Sequence, residues 1–79
     1  MKDEDILARI QAVYDSILGR KGIVLTPETK LIRSGDISSF ILAELVVAIE
    51  EEFDIELTYS KIRSMKTIRG LIKYIKAQE

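Results

Sequence analysis

Residues 38–53 read SSFILAELVVAIEEEF, and this stretch decides the fold. Leu42, Leu45, Val46, Ile49 and Phe53 recur at the spacing of one helix face. Phe40, Ala43 and Val47 form a second apolar stripe beside the first, flanked by Glu44 and Glu51. A helix that is apolar on two sides is either buried all round or presents one side to a partner. The interleaved glutamates favour the partner reading. Either serine at the start can cap the helix, its side-chain oxygen accepting a backbone N–H that the first turn leaves without a partner.

Outward from this helix, the rest also reads as helical. Ile6, Leu7, Ile10, Val13, Tyr14, Ile17 and Leu18 form one face of a first helix of about four turns. Asp3, Glu4 and Asp5 suit its positive end, and Gly19 and Gly22 end it. Residues 19–37 form a long connection containing Pro27 and Gly35. Ile23, Val24, Leu25, Leu31 and Ile32 are too apolar for a free linker, so this loop is expected to pack on the helices. A strand over residues 23–25 has no visible partner. Tyr59 to Met65 forms a short third helix with Ser60 near its start. Thr67 caps a last helix that turns Ile68, Leu71, Ile72 and Ile75 inward and Lys66, Arg69, Lys73 and Lys76 outward. The expectation is an all-α fold: a small four-helix bundle, three main helices and a short one, with a long loop between the first and second. Its 79 residues suit a single domain, 1–79.

Composition removes most chemistry. There is no cysteine and no histidine, so thiolate nucleophiles, disulfides, Ser-His-Asp catalysis and imidazole metal sites are all absent. No lysine lies in the same turn as Ser38 or Ser39 to activate a hydroxyl. An enzyme is not expected. Residues 50–52, three glutamates, read as a solvated acidic face rather than a metal site. No apolar run approaches a membrane span, and no signal core is visible at the start, so a cytoplasmic protein without stable membrane insertion is expected.

The net charge of −1 conceals a division. Residues 36–57 carry seven acids and no base, whereas residues 58–79 carry six bases and a single acid, Glu79. One part of the surface should attract cations and another anions. The acidic middle and the lack of aromatics among the bases oppose nucleic-acid binding. A serine exposed at a helix start, unable to react by itself, is nonetheless a good place to attach a phosphate.

From GDISSF onward the chain resembles an acyl carrier protein. Ser39 stands at the modified serine of that family and Phe40 at the leucine that follows it. Glu44-Leu45-Val46, Glu50-Glu51-Glu52-Phe53-Asp54 and Tyr74-Ile75 match in register, and the first helix and long loop agree in length. The resemblance implies that Ser39 carries 4′-phosphopantetheine, installed from coenzyme A by a phosphopantetheinyl transferase, with Ser38 as the cap. The arm's thiol would hold acyl groups as thioesters for acyl-loading and acyl-transferring enzymes, in a monomeric carrier serving a specialised fatty-acid, lipid or polyketide pathway. The expected partner face is Ser39, Phe40, Ala43, Glu44, Val47 and Glu51, with Ile62 at its edge. The expected acyl pocket lies between the second and third helices, near Leu45, Ile49, Ile62, Met65 and Leu71.

Two departures from the family pattern matter. Ser38 stands where many members have aspartate, and the last third is basic where carriers of fatty acid synthesis are acidic. The bases form either a solvated face or a second contact for a specialised partner. Two other functions share much of this pattern: an aminoacyl or peptidyl carrier of a nonribosomal-type pathway, and an interaction module that is never modified.

Overall fold

The computed structural model describes residues 1–19, 24–31 and 39–79. Four helices follow in order: α1 (Asp3–Leu18), α2 (Ser39–Phe53), α3 (Tyr59–Met65) and α4 (Ile68–Ala77). The all-α expectation holds. Ser38, Gly22, Ile23 and Ile32 lie outside the described residues, so the cap, the second helix-ending glycine and part of the loop's apolar set go with them.

α1 begins with three acids in its first turn and ends where Gly19 takes the left-handed conformation, φ 67°. The Gly19 N–H donates to the Asp15 carbonyl at 3.1 Å, a closure that a side chain at this φ would strain. α1 and α2 run antiparallel. Arg9, in the middle of α1, donates through Nε to Glu52 Oε2 at 2.7 Å and through Nη2 to the Glu52 carbonyl at 2.6 Å. Its guanidinium also lies 4.6 Å from the centre of the Phe53 ring. At the other end, Ile17 sits beside Phe40 and Ala43.

The crossover between these two helices therefore doubles back along the bundle. Leu25 N–H donates to Gln11 Oε1 at 2.8 Å, and Pro27 reaches the pocket that holds Asp3 and Leu7. There the chain meets α4. Leu31 N–H donates to the Lys66 carbonyl, Ile68 N–H to Thr29 and Arg69 N–H to Pro27, at 2.8–2.9 Å. Leu25 and Leu31 are buried as expected. Val24 is not: it is 78% exposed. In an extended stretch, neighbouring side chains point to opposite faces, so burying Leu25 turns Val24 outward. Residues 24 and 25 form no strand either.

The short α3 is capped by Thr58, whose hydroxyl accepts from Lys61 N–H at 3.1 Å, rather than by Ser60 within the helix. α4 starts at Thr67 as the sequence indicates, the hydroxyl accepting from Gly70 N–H at 3.4 Å. Between them Lys66 adopts φ 67°, ψ −44°, and Thr67 N–H closes on the Met65 carbonyl at 2.7 Å. This is a tight, strained three-residue turn. A Cβ on Gly70 would come within 2.7 Å of that same carbonyl, so glycine is what lets α4 pack so closely on the end of α3.

Ile6, Ile10, Leu31, Leu45, Ile49, Ile62, Ile68 and Leu71 are fully buried in one cluster fed by every helix and the crossover. Removing such a side chain from water is worth about 1.5–3 kcal/mol. Tyr14 belongs to this cluster, and burial pushes its phenol up from 10.0 to about 12.

Tyr14 gives a pH test. Below pH 10 its proton is held in both folded and unfolded chains. Between pH 10 and 12 the unfolded chain releases a proton that the folded chain keeps, so stability falls by about 1.4 kcal/mol per pH unit through this group. Urea midpoints measured from pH 9 to 11 should fall less steeply for Tyr14→Phe than for the natural chain. Equal slopes would exclude burial of this phenol.

Candidate functional site

The start of α2 is the place to look for the attachment chemistry. Ser39 is its first residue, and the N–H groups of the first turn have no acceptors within the helix. No acidic side chain occupies that turn. Within that turn nothing offsets the positive end of the macrodipole, which favours an anion such as a phosphate ester. Phe40, the next residue, is 73% exposed.

The second apolar stripe of α2 stays at the surface. Val47 is 53% exposed, and Ala43, Glu44 and Glu51 are exposed with it. They flank an open depression of about 410 Å³ between α1 and α2, whose far wall is Ile17. Ile62 is placed differently from the expectation. It is 2% exposed and is the buried residue of α3, so it lies beneath the surface rather than at the edge of this face.

The four glutamates of α2 divide by role. Glu52 pairs with Arg9. Glu50 Oε2 accepts from Leu57 N–H at 2.9 Å and holds the turn after the helix. Glu44 and Glu51 have no partner among the described residues, and both line the depression beside Phe40. The charges left unsatisfied within the fold are those on the exposed face.

The basic face of α4 shows the opposite. Arg69 pairs with Glu28, and Lys76 donates to Asp3 Oδ1 at 2.7 Å. The hydrogen bond from Lys76 holds the Asp3 carboxyl below its ordinary value. Lys61 lies over the Tyr74 ring and Arg63 over Tyr59. Much of the C-terminal positive excess thus has partners on the same molecule.

Of the residues expected to line an acyl pocket, Leu45, Ile49, Ile62 and Leu71 are 0–2% exposed, and Met65 is half-buried against them. They form the core itself. Sequence reasoning missed Ala12, Ser16 and Ala48, which line the seam between α1 and α2 together with Ile17. The available signal was three small residues on helices expected to meet. Among the described residues there is no acidic cluster able to hold a metal, and no helix is long and apolar enough to cross a membrane.

Stability should separate surface from core on α2. Phe40→Ser is expected to shift unfolding free energy by no more than about 0.5 kcal/mol, while Leu45→Ala costs about 2–5 kcal/mol. Urea unfolding of the two variants checks this, and a large loss for Phe40→Ser would mean that its ring is buried.

A family model described as "Phosphopantetheine attachment site" matches residues 8–75. Acyl carrier proteins are similar over nearly the full length. That of Trieres chinensis is 31% identical over 95% of this chain and 94% of its own. That of Thermobifida fusca is 29% identical over 92% of each. The meromycolate extension acyl carrier protein of Mycobacterium bovis is 24% identical over 96% of this chain and 66% of its own. A match this long places the helix order, the crossover and the α2 face in one family: the chain belongs to the phosphopantetheine-binding acyl carrier proteins, carriers rather than catalysts, whose cofactor is covalent 4′-phosphopantetheine.

Proposed function

We propose that Ser39 is the attachment point and that this chain, one carrier domain over residues 1–79, delivers acyl thioesters in a specialised lipid, fatty-acid or polyketide pathway. The observation that carries the assignment is the start of α2: a serine as first residue, an acid-free first turn and an exposed Phe40 beside it. When bound, the arm supplies the thiol that the cysteine-free chain lacks. The chain's own contribution is presentation. It has no histidine, and in this reading the transferase supplies the base that takes the Ser39 proton. Relatives that are acyl carriers favour acyl over aminoacyl cargo. The relative named for meromycolate extension supports a specialised pathway by analogy. A cytoplasmic, monomeric carrier is part of the same reading and agrees with the charged, cysteine-free composition.

Phe40, Ala43, Val47, Glu44 and Glu51 form the partner face in this reading. Its partners, the transferase included, carry basic residues around an apolar centre, an arrangement that speeds encounter more than it tightens binding.

Intact mass after incubation with coenzyme A and a broad-specificity transferase tests the site. The natural chain and Ser38→Ala should each gain one phosphopantetheine, and Ser39→Ala none. A folded natural chain left unmodified by several transferases would instead make the helix start a cap and the protein an interaction module.

Charge on the face can be tested in the same assay. Glu44→Gln/Glu51→Gln should slow initial modification roughly 3- to 10-fold at low salt, and the difference should vanish near 1 M salt, where screening acts within about 3 Å. An unchanged rate at low salt removes these two carboxylates from the transferase contact.

A further inference from the structure

The hollow that Pro27 reaches lies where α1, α4 and the crossover meet, and its volume is about 220 Å³. Leu7, Pro27 and Ile72 line it with aliphatic surface, one residue from each of the three elements. These walls are pinned to one another. Arg69 N–H donates to the Pro27 carbonyl at 2.8 Å and ties the crossover to α4. Lys76 donates to Asp3 Oδ1 at 2.7 Å and ties α4 to α1. The hollow is therefore formed before anything enters it, and filling it needs little rearrangement. A cavity of roughly 150 Å³ accepts a benzene ring, so one large apolar side chain fits here.

Four exposed charged residues stand around this lining: Asp3, Glu4, Arg69 and Lys73. Two are engaged within the molecule, Asp3 with Lys76 and Arg69 with Glu28. Glu4 on α1 and Lys73 on α4 form no ion pair or hydrogen bond among the described residues. The hollow thus offers an apolar centre with one unpaired acid and one unpaired base on separate walls. We infer that it is a docking site for a segment of a partner protein that presents one leucine-sized side chain between a basic residue and an acidic one. The lining takes the apolar anchor, Glu4 takes the base and Lys73 takes the acid. A segment with two like charges meets repulsion from one wall or the other.

This site is separate from the start of α2. No α2 residue lines it. Glu4 and Ile17, the residue beside Phe40, are about 20 Å apart along α1. A partner held here leaves Ser39 and the exposed stripe of α2 free, so it stays in place while other proteins come and go there. The inference does not depend on attachment at Ser39. One apolar anchor and two exposed charge pairs give an isolated segment an affinity on the order of 1 mM.

The test titrates the whole chain at low salt with blocked alanine- and glutamine-based helical peptides of about 15 residues, read by NMR. Each peptide carries one leucine, with a lysine one turn to one side and a glutamate one turn to the other, or with two lysines, or with two glutamates. The mixed peptide should shift the signals of Leu7, Arg69, Ile72 and Lys73, and the two like-charged peptides should bind at least threefold more weakly. Replacing the peptide leucine by alanine should abolish the shifts. Lys73→Glu, at an exposed position, should make the two-lysine peptide the tightest of the three. Saturating mixed peptide should leave the rate of modification by a phosphopantetheinyl transferase unchanged. Equal binding of the three charged peptides overturns the inference, as does the absence of any shift at several-fold the expected dissociation constant. Shifts centred on Phe40 and Val47 overturn it too, and so do shifts at Leu7 and Ile72 that grow with protein concentration alone, which put a second copy of this chain in the hollow.

Discussion

Three backbone hydrogen bonds between the crossover and the start of α4 hold this architecture together. Leu31 donates to Lys66, while Thr29 and Pro27 accept from Ile68 and Arg69. Ile68 and Arg69 open α4, so their N–H groups have no acceptors within the helix. The crossover supplies those acceptors, and in return its own polar backbone can lie against the core without a missing partner. Leu25 and Leu31 are buried as a result, and the described stretch 24–31 becomes a structural layer. The same clamp meets the strained turn at Lys66, a conformation that costs about 1–3 kcal/mol and persists because its surroundings fix it on both sides.

Charge is arranged by a similar logic. Read along the chain, acids crowd the middle and bases the end. In space, α4 meets the start of α1 and the crossover, which bring Asp3 to Lys76 and Glu28 to Arg69. On α2, Glu50 and Glu52 have internal duties, and Glu44 and Glu51 do not. Two of the six C-terminal bases are thus paired with acids from elsewhere in the chain, while the exposed stripe of α2 keeps two unpaired carboxylates.

Periodicity was enough to find α1, α2 and α4, because each has a single buried face repeated over several turns, and Thr67 announces its helix by its position before an apolar repeat. It was less able to resolve α3. Seven residues bury only Ile62, and with so short a pattern Ile62 could be mistaken for a rim residue. Its cap is Thr58, next to Leu57, whose N–H donates to the Glu50 carboxylate. Val24 was misread because an apolar residue in a loop carries no sign of which way it points. That a serine begins α2, with an exposed apolar stripe beside it, was legible in the sequence. The seam groove was not, since it arises from Ala12, Ser16 and Ala48 coming together from two helices.

The ends of the chain meet at one pole. The terminal amine lies 3.0 Å from a Glu79 carboxylate oxygen, and the start of α1 is tied to the end of α4. Ser39 begins its helix beside Ile17, at the other end of α1, a helix of 16 residues and so about 24 Å long. A scaffold, a surface or a second domain joined through either end would grip the molecule by its base and leave the serine pole facing outward. In mechanical terms the bundle is a mast with both footings together and the start of α2 at the top.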